Sequence, residues 1–223
     1  MMMKKTTLNL IDILLLTLIF FGSSIYASLE QYLSLQQAGL ESPTDLNLNS
    51  EDNYSLLVFE LFSLCIAFAY LWWRHFDFKQ LNFSINKLTL PLALLFILLA
   101  GGIDHLFYML IFPTENNVDV SSYAELQPYL SFSLIAAAIL NGFYEELYFL
   151  GLMFTVPKKW LPYVIIFGLV IRFLFHTYQG LFAATTVTLF GLIFVLLRLR
   201  FSTLLPFMLA HAFFDVFGLG LPF

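Results

Sequence analysis

The stretch Asn141-Gly-Phe-Tyr-Glu-Glu-Leu-Tyr-Phe-Leu150 sets two adjacent carboxylates inside an apolar run from about 129 to 155. That run is long enough to cross the roughly 30 Å hydrocarbon core of a bilayer. A charged side chain at the centre of a transmembrane helix costs roughly 2.5 to 3.5 kcal/mol on insertion scales. Glu145 and Glu146 together thus rival the whole stability of an ordinary domain, so something must neutralise, pair or use them.

The rest of the chain has the same apolar character. Its 223 residues are 60% hydrophobic and only 11% charged, with 27 Phe, and the mean hydropathy is +0.85. Such values lie outside the range of soluble domains and predict an all-α, polytopic integral membrane bundle. Apolar runs at about 8–29, 54–73, 88–112, 129–155, 161–178, 181–197 and 203–221 predict about seven transmembrane helices. Arg172 and His176 interrupt the fifth, and the seventh is short.

Charge fixes the expected orientation. Lys4 and Lys5, then Arg74, Lys79 and Lys87, then Lys158 and Lys159, then Arg198 and Arg200 occupy every second connection from the N-terminus onward. The connections between them carry Glu30, Glu41, Asp45, Glu51, Asp52, Glu115, Asp119 and Glu125 and neither Lys nor Arg. The positive-inside rule then places the N-terminus in and the C-terminus out, in what the small size suggests is a bacterial inner membrane. The net charge of -5 reports acidic external loops. Thin basic punctuation of this kind excludes nucleic acid as a partner and leaves membrane lipids and membrane-associated peptides.

The chain reads as a single transmembrane domain, 1–223: helices one to three with a long external loop at 30–53 fill 1–128, and helices four to seven form a core at 129–223. Lys4 to Ala27 reads as an uncleaved first helix, because its apolar stretch of about 20 residues exceeds a signal core of roughly 7 to 15. The one cysteine, Cys65, rules out an internal disulfide and reads as a small hydrophobe.

Six further charged or histidine residues sit in the apolar runs from 88 onward: Asp104 and His105 in helix three, Arg172 and His176 in helix five, His211 and Asp215 in helix seven. None is tolerable facing lipid, so they should converge on a shared interior or water-filled cavity. If helices four and five form an antiparallel hairpin about Pro157–Pro162, Glu145 matches His176 in depth, and Arg172 matches Phe149 or Leu150. Arg172 is then a candidate counter-ion for Glu146. His211 and Asp215, four apart, face one direction, so the carboxylate can orient the imidazole. Asn141 and Tyr148 lie about one turn to either side of Glu145 and could hydrogen-bond it. Asp104 and His105 fit as surrounding residues, substrate contacts or a hydrated helix end.

Glu145-Glu146, His176 within Phe-His-Thr-Tyr-Gln-Gly, and His211-Ala-Phe-Phe-Asp215 resemble the three motifs of the CAAX prenyl protease and bacteriocin-processing (CPBP, or Abi) intramembrane proteases. The similarity runs from about Asn141 to Gly218. Two positions depart from the family pattern: Leu150 stands where it has Arg, and Arg172 where it has the Phe of the second motif. Together they suggest that a guanidinium has moved from helix four to helix five while keeping its depth. The resemblance implies an intramembrane endopeptidase acting on a transmembrane or membrane-anchored peptide or protein.

The residues agree with that chemistry. A desolvated Glu145 is suited to take a proton from water, with His176 positioning the water or sharing the proton. His211, held by Asp215, could stabilise the oxyanion or protonate the leaving amine. Glu145, His176 and His211 equally suit one zinc or other divalent ion with an open fourth position. Both assignments are used for the family, and the absence of HExxH leans towards the version without a cofactor. A catalytically inactive immunity or scaffold protein of the same fold, or a proton-coupled transporter, are the competing readings. The chain carries no GxSG serine motif, and Gly101-Gly-Ile-Asp104 is not the GxGD of presenilin-like enzymes.

Overall fold

The computed structural model describes residues 7–41, 50–111 and 130–218. Lys4, Lys5, Asp45, Glu115, Asp119 and Glu125, which enter the orientation argument, lie outside the described residues. Among those described, the chain folds into α-helices α1 (Leu10–Gln37), α2 (Ser50–Trp73), α3 (Thr89–Ile111), α4 (Phe132–Glu146), α5 (Leu161–His176), α6 (Leu181–Arg198) and α7 (Leu205–Phe217), with no strand. Five helical stretches, α1, α2, α3, α5 with the turn that follows it, and α6, are long and apolar enough to cross a membrane; α7 is apolar but shorter.

Local chemistry sets the helix ends. Asn9 and Asp12 form a reciprocal capping box at the start of α1. Asp12 also accepts from Arg74 Nε at 2.7 Å and Nη2 at 2.9 Å and from the Tyr70 hydroxyl at 2.6 Å, which ties the foot of α1 to the end of α2. Those hydrogen bonds hold the Arg74 guanidinium even more firmly protonated than usual. Ser131 caps α4 by accepting from the Leu134 amide. Prolines occupy the first turn of α5 and of α7, where no amide donor is needed.

Two expectations are corrected. The external loop expected at 30–53 is shorter, because α1 continues as helix to Gln37 and α2 already begins at Ser50. Leu29-Glu-Gln-Tyr-Leu-Ser-Leu-Gln-Gln37 is polar but rich in helix formers, and Glu51 and Asp52 favour a helix N-terminus. The fourth helix does not run regularly to 155. It leaves α-geometry after Glu146, passes through a π-helical turn at Leu147–Gly151 and closes in a 3-10 turn at Leu152–Thr155. A wide turn of this kind re-aims the side chains that follow it, and such turns gather at functional sites.

Helix α4 lies at the centre, packed between α2 and α7 and closest to α7. Gly142 makes that approach possible: a Cβ there would sit 2.7 Å from the Met208 carbonyl oxygen and 2.8 Å from the Ala212 nitrogen. An aromatic cluster of Phe20, Phe21, Tyr144, Tyr148, Phe149 and Phe175 joins α1 to α4, the π turn and α5. The outer surface, by contrast, exposes Leu14, Leu18, Val58, Phe62, Leu94 and Leu98, a face suited to lipid.

Candidate active site

Glu146 is the hub of the interior. Its side chain is fully buried, and its Oε1 accepts from Arg172 Nη2 at 2.9 Å and lies 2.6 Å from His211 Nδ1. One carboxylate oxygen thus joins α4, α5 and α7. Arg172 is itself buried, stacked over the Phe149 ring at 4.3 Å. Its stem passes across Gly191, where a Cβ would meet Cδ at 2.6 Å. The side chain of Leu150, in place of the motif arginine, is buried among apolar residues, and its carbonyl accepts from Arg198 Nε at 2.9 Å.

Glu145 has a different environment. It is 3% exposed, and its Oε2 has no hydrogen-bond partner. That carboxylate lies 3.7 Å from Arg172 Nη2 and 3.9 Å from His211 Nε2, outside hydrogen-bond range of both. It faces a cavity of about 730 Å³ that His176, His211, Asn141 and Asp215 also line. This volume falls within the usual range of small-molecule and peptide pockets. The two neighbouring glutamates therefore differ as two residues 100° apart on a helix must: one is tied down, and the other lines the cavity with an oxygen left unpartnered.

The two histidines are held from behind. Nδ1 of His176 lies 2.9 Å from the Arg172 carbonyl one turn back on α5. A carbonyl can only accept, so Nδ1 carries the hydrogen, and in the neutral ring Nε2 is left as an acceptor. Ser28 on α1 bonds both the Thr177 hydroxyl and the Tyr178 amide, fixing the chain just beyond His176. His211, with Nδ1 against Glu146, turns Nε2 to Asp215 Oδ1 at 3.4 Å. The strong partner of this imidazole is thus Glu146, and Asp215 is the weaker one. Asp215 in turn accepts from Asn141 Nδ2 at 2.9 Å.

Several residues fall elsewhere than expected. Tyr148 does not reach Glu145: the π turn sends it towards α1, where its hydroxyl pairs with the Thr17 hydroxyl. Asn141 bonds Asp215 instead of the glutamate. Asp104 is half-buried and His105 exposed on α3, and neither lines the cavity. Conversely, Glu60 on α2, which no motif singles out, is 1% exposed and lines the cavity. The signal for it is the one that marks Glu145, a lone carboxylate deep in an apolar run.

The metal-donor set is also corrected. Among the described residues, the ligand atoms that gather within 4.8 Å belong to Glu145, Glu146 and His211, with Glu146 in the place expected for His176. His176 is held away by its bond to the backbone of α5. Oε2 of both glutamates lacks a hydrogen-bond partner, so three donors of suitable type are present for a divalent ion.

Buried carboxylates and imidazoles gathered at a cavity, with a guanidinium behind them, give this apolar helical bundle of membrane-protein character a polar centre. Residues 127–217 match the family model described as type II CAAX prenyl endopeptidase Rce1-like. That family is one of membrane proteases, and it agrees with the resemblance carried by the three motifs. The match covers the part of the chain that carries the three motifs and is a similarity to that family over those residues, while the apolar helices fit an integral membrane protein. No curated protein and no solved structure matches the chain.

Proposed function

We propose that the protein is an intramembrane endopeptidase in which Glu145 activates the attacking water. The observation that carries this reading is the contrast within the glutamate pair: Glu146 is engaged by Arg172 and His211, while Glu145, whose buried Oε2 is unpartnered, lines the cavity. Glu145 takes a proton from water as its oxygen adds to the scissile carbonyl carbon. Nε2 of His176 accepts the second hydrogen of that water and orients it. The oxyanion receives a hydrogen bond from the Nε2–H of His211 as an imidazolium, which carries a proton on each ring nitrogen between the carboxylates of Glu146 and Asp215. As the carbon–nitrogen bond breaks, the proton held by Glu145 passes to the leaving amine. Asp215, fixed by Asn141, keeps His211 facing the cavity.

A divalent ion is the alternative chemistry, and Glu145, Glu146 and His211 would hold it and let it polarise the water as a Lewis acid. In the reading preferred here Arg172 supplies the positive charge beside both carboxylates. For topology we infer seven spans, with α4 completed by its two irregular turns, the N-terminus cytoplasmic and the C-terminus outside, in a bacterial inner membrane. Substrates are then membrane-anchored or transmembrane peptides that reach the cavity from within the bilayer.

The test is peptide hydrolysis by purified protein in detergent or vesicles. Glu145→Gln should abolish turnover in protein that still folds, since the substitution removes no hydrogen bond to Oε2. Activity should persist in metal-free protein with chelator present. Turnover surviving Glu145→Gln would overturn the mechanism, and loss with chelator that zinc restores would move it to the metal alternative.

A further inference from the structure

The cavity holds a carboxylate that the proposed mechanism does not use. Glu60 lies in the middle of α2, is 1% exposed, and its Oε2 has no hydrogen-bond partner. It lines the same cavity as Glu145, Asp215 and His211. The cavity wall carries Asp52, Glu60, Glu145 and Asp215 but neither Lys nor Arg. Asp52 and Glu60 are eight residues apart on one helix, so the acids descend about 12 Å into the bundle. Arg172 and His211 offset the acids around Glu145 and Asp215, whereas the wall offers Glu60 neither Lys nor Arg, and a cation bound there relieves the cost of burying that carboxylate in a low-dielectric cavity. A small ion is a poor fit for Glu60, which is outside the group gathered within 4.8 Å. The space between is broad and walled by Phe59, Phe175, Phe190 and Phe214, rings that suit apolar stems and the faces of organic cations.

We propose that the cavity recognises a cation borne on an apolar substrate segment, a Lys or Arg side chain or a free N-terminal ammonium close to the scissile bond, and that Glu60 is the residue that binds it. This rests on the endopeptidase reading above and names its substrate class. Glu60 accepts hydrogen bonds from the cation, and Asp215 and Asp52 supply the surrounding negative field. Neutral apolar segments enter the same space but leave Glu60 unpaired, and a buried polar group left without a partner disfavours them.

The experiment measures binding separately from hydrolysis. Glu145→Gln protein is titrated with fluorescent apolar peptides that are identical except for Lys or norleucine at one scanned position, each with a free or acetylated N-terminus. The expected result is a preference of at least about 30-fold for a cationic peptide, falling to within about 3-fold when Glu60→Gln is added. Preference retained on acetylated Lys peptides assigns the cation to the side chain; preference confined to free N-termini assigns it to the ammonium. Equal binding of Lys and norleucine peptides with either N-terminus would overturn the proposal without reference to any variant at Glu60, as would a preference that survives Glu60→Gln. If wild-type protein binds with this preference yet cleaves none of the peptides, the protease reading fails and the cation site stands.

Discussion

Removing the guanidinium of Arg172 should destabilise the whole bundle, and the size of the effect follows from the geometry. Arg172 Nη2 lies 2.9 Å from Glu146 and 3.7 Å from Glu145, with both side chains buried. At an effective dielectric of about 20, unit charges at those separations attract by ~6 and ~4.5 kcal/mol. Desolvation offsets much of that gain, and breaking a buried pair from one side costs about 3–5 kcal/mol because the remaining charge is stranded. Arg172→Met should therefore lower stability by about that amount in denaturant or thermal unfolding of the detergent-solubilised protein. Glu146→Gln combined with Arg172→Met should cost less than the two single changes summed, with a coupling of about 2 kcal/mol or more. Arg172→Phe should be similarly harmful, and adding Leu150→Arg should recover a large part of the loss, since it returns a guanidinium to the position one turn after Glu146. A coupling under about 0.5 kcal/mol, or an Arg172→Phe protein as stable as the wild type, would refute the reasoning.

Two other outcomes are expected. Gly191→Ala places a methyl 2.6 Å from Arg172 Cδ and should cost about 1–3 kcal/mol by overpacking, whereas Gly102→Ala, with nothing within 4 Å, should be neutral or slightly stabilising; equal melting curves for the two would remove the steric argument. Tyr148→Phe deletes the bond to Thr17 and should cost about 1 kcal/mol in stability, with the pH profile of peptide hydrolysis unchanged; a displaced profile would show that the hydroxyl acts on Glu145 after all.

Much of the fold is legible in the chain because one physical requirement dominates it. Apolar runs long enough to cross hydrocarbon must become helices, and the observed α3 and α6 begin and end within about a residue of the runs that predict them. The segment 129–155 shows where that logic stops. Its composition is uniformly apolar around the glutamates, so nothing in hydropathy marks the change from α to π geometry after Glu146. That change redirects Tyr148 to Thr17, and only the packed structure reveals it. The depth of Arg172 could be read from simple hairpin spacing, because rise per residue is nearly constant. Which oxygen of which glutamate it would share with His211 depends on azimuth and on the approach of α4 to α7 through Gly142, which spacing along the chain does not encode. Glu60 illustrates a different gap. It lies on α2, well before the motif-bearing segment, so no pattern among residues 141–218 points to it.

The arginine on α5 also bears on how the chain enters the membrane. An arginine four residues after the second glutamate, as in the family pattern, would neutralise a carboxylate within one helix before any neighbour arrived. Here the fourth segment carries two uncompensated acids until residue 172 has been synthesised and brought alongside, 26 residues later. Its stable lateral release into lipid must therefore wait for the following segment, so the two enter as a paired unit, with Lys158 and Lys159, cytoplasmic in the proposed topology, holding the hairpin's turn. A chain interrupted between those segments would present its most polar helix to the bilayer with nothing to offset it, and that intermediate is the one most exposed to quality-control proteolysis during biogenesis.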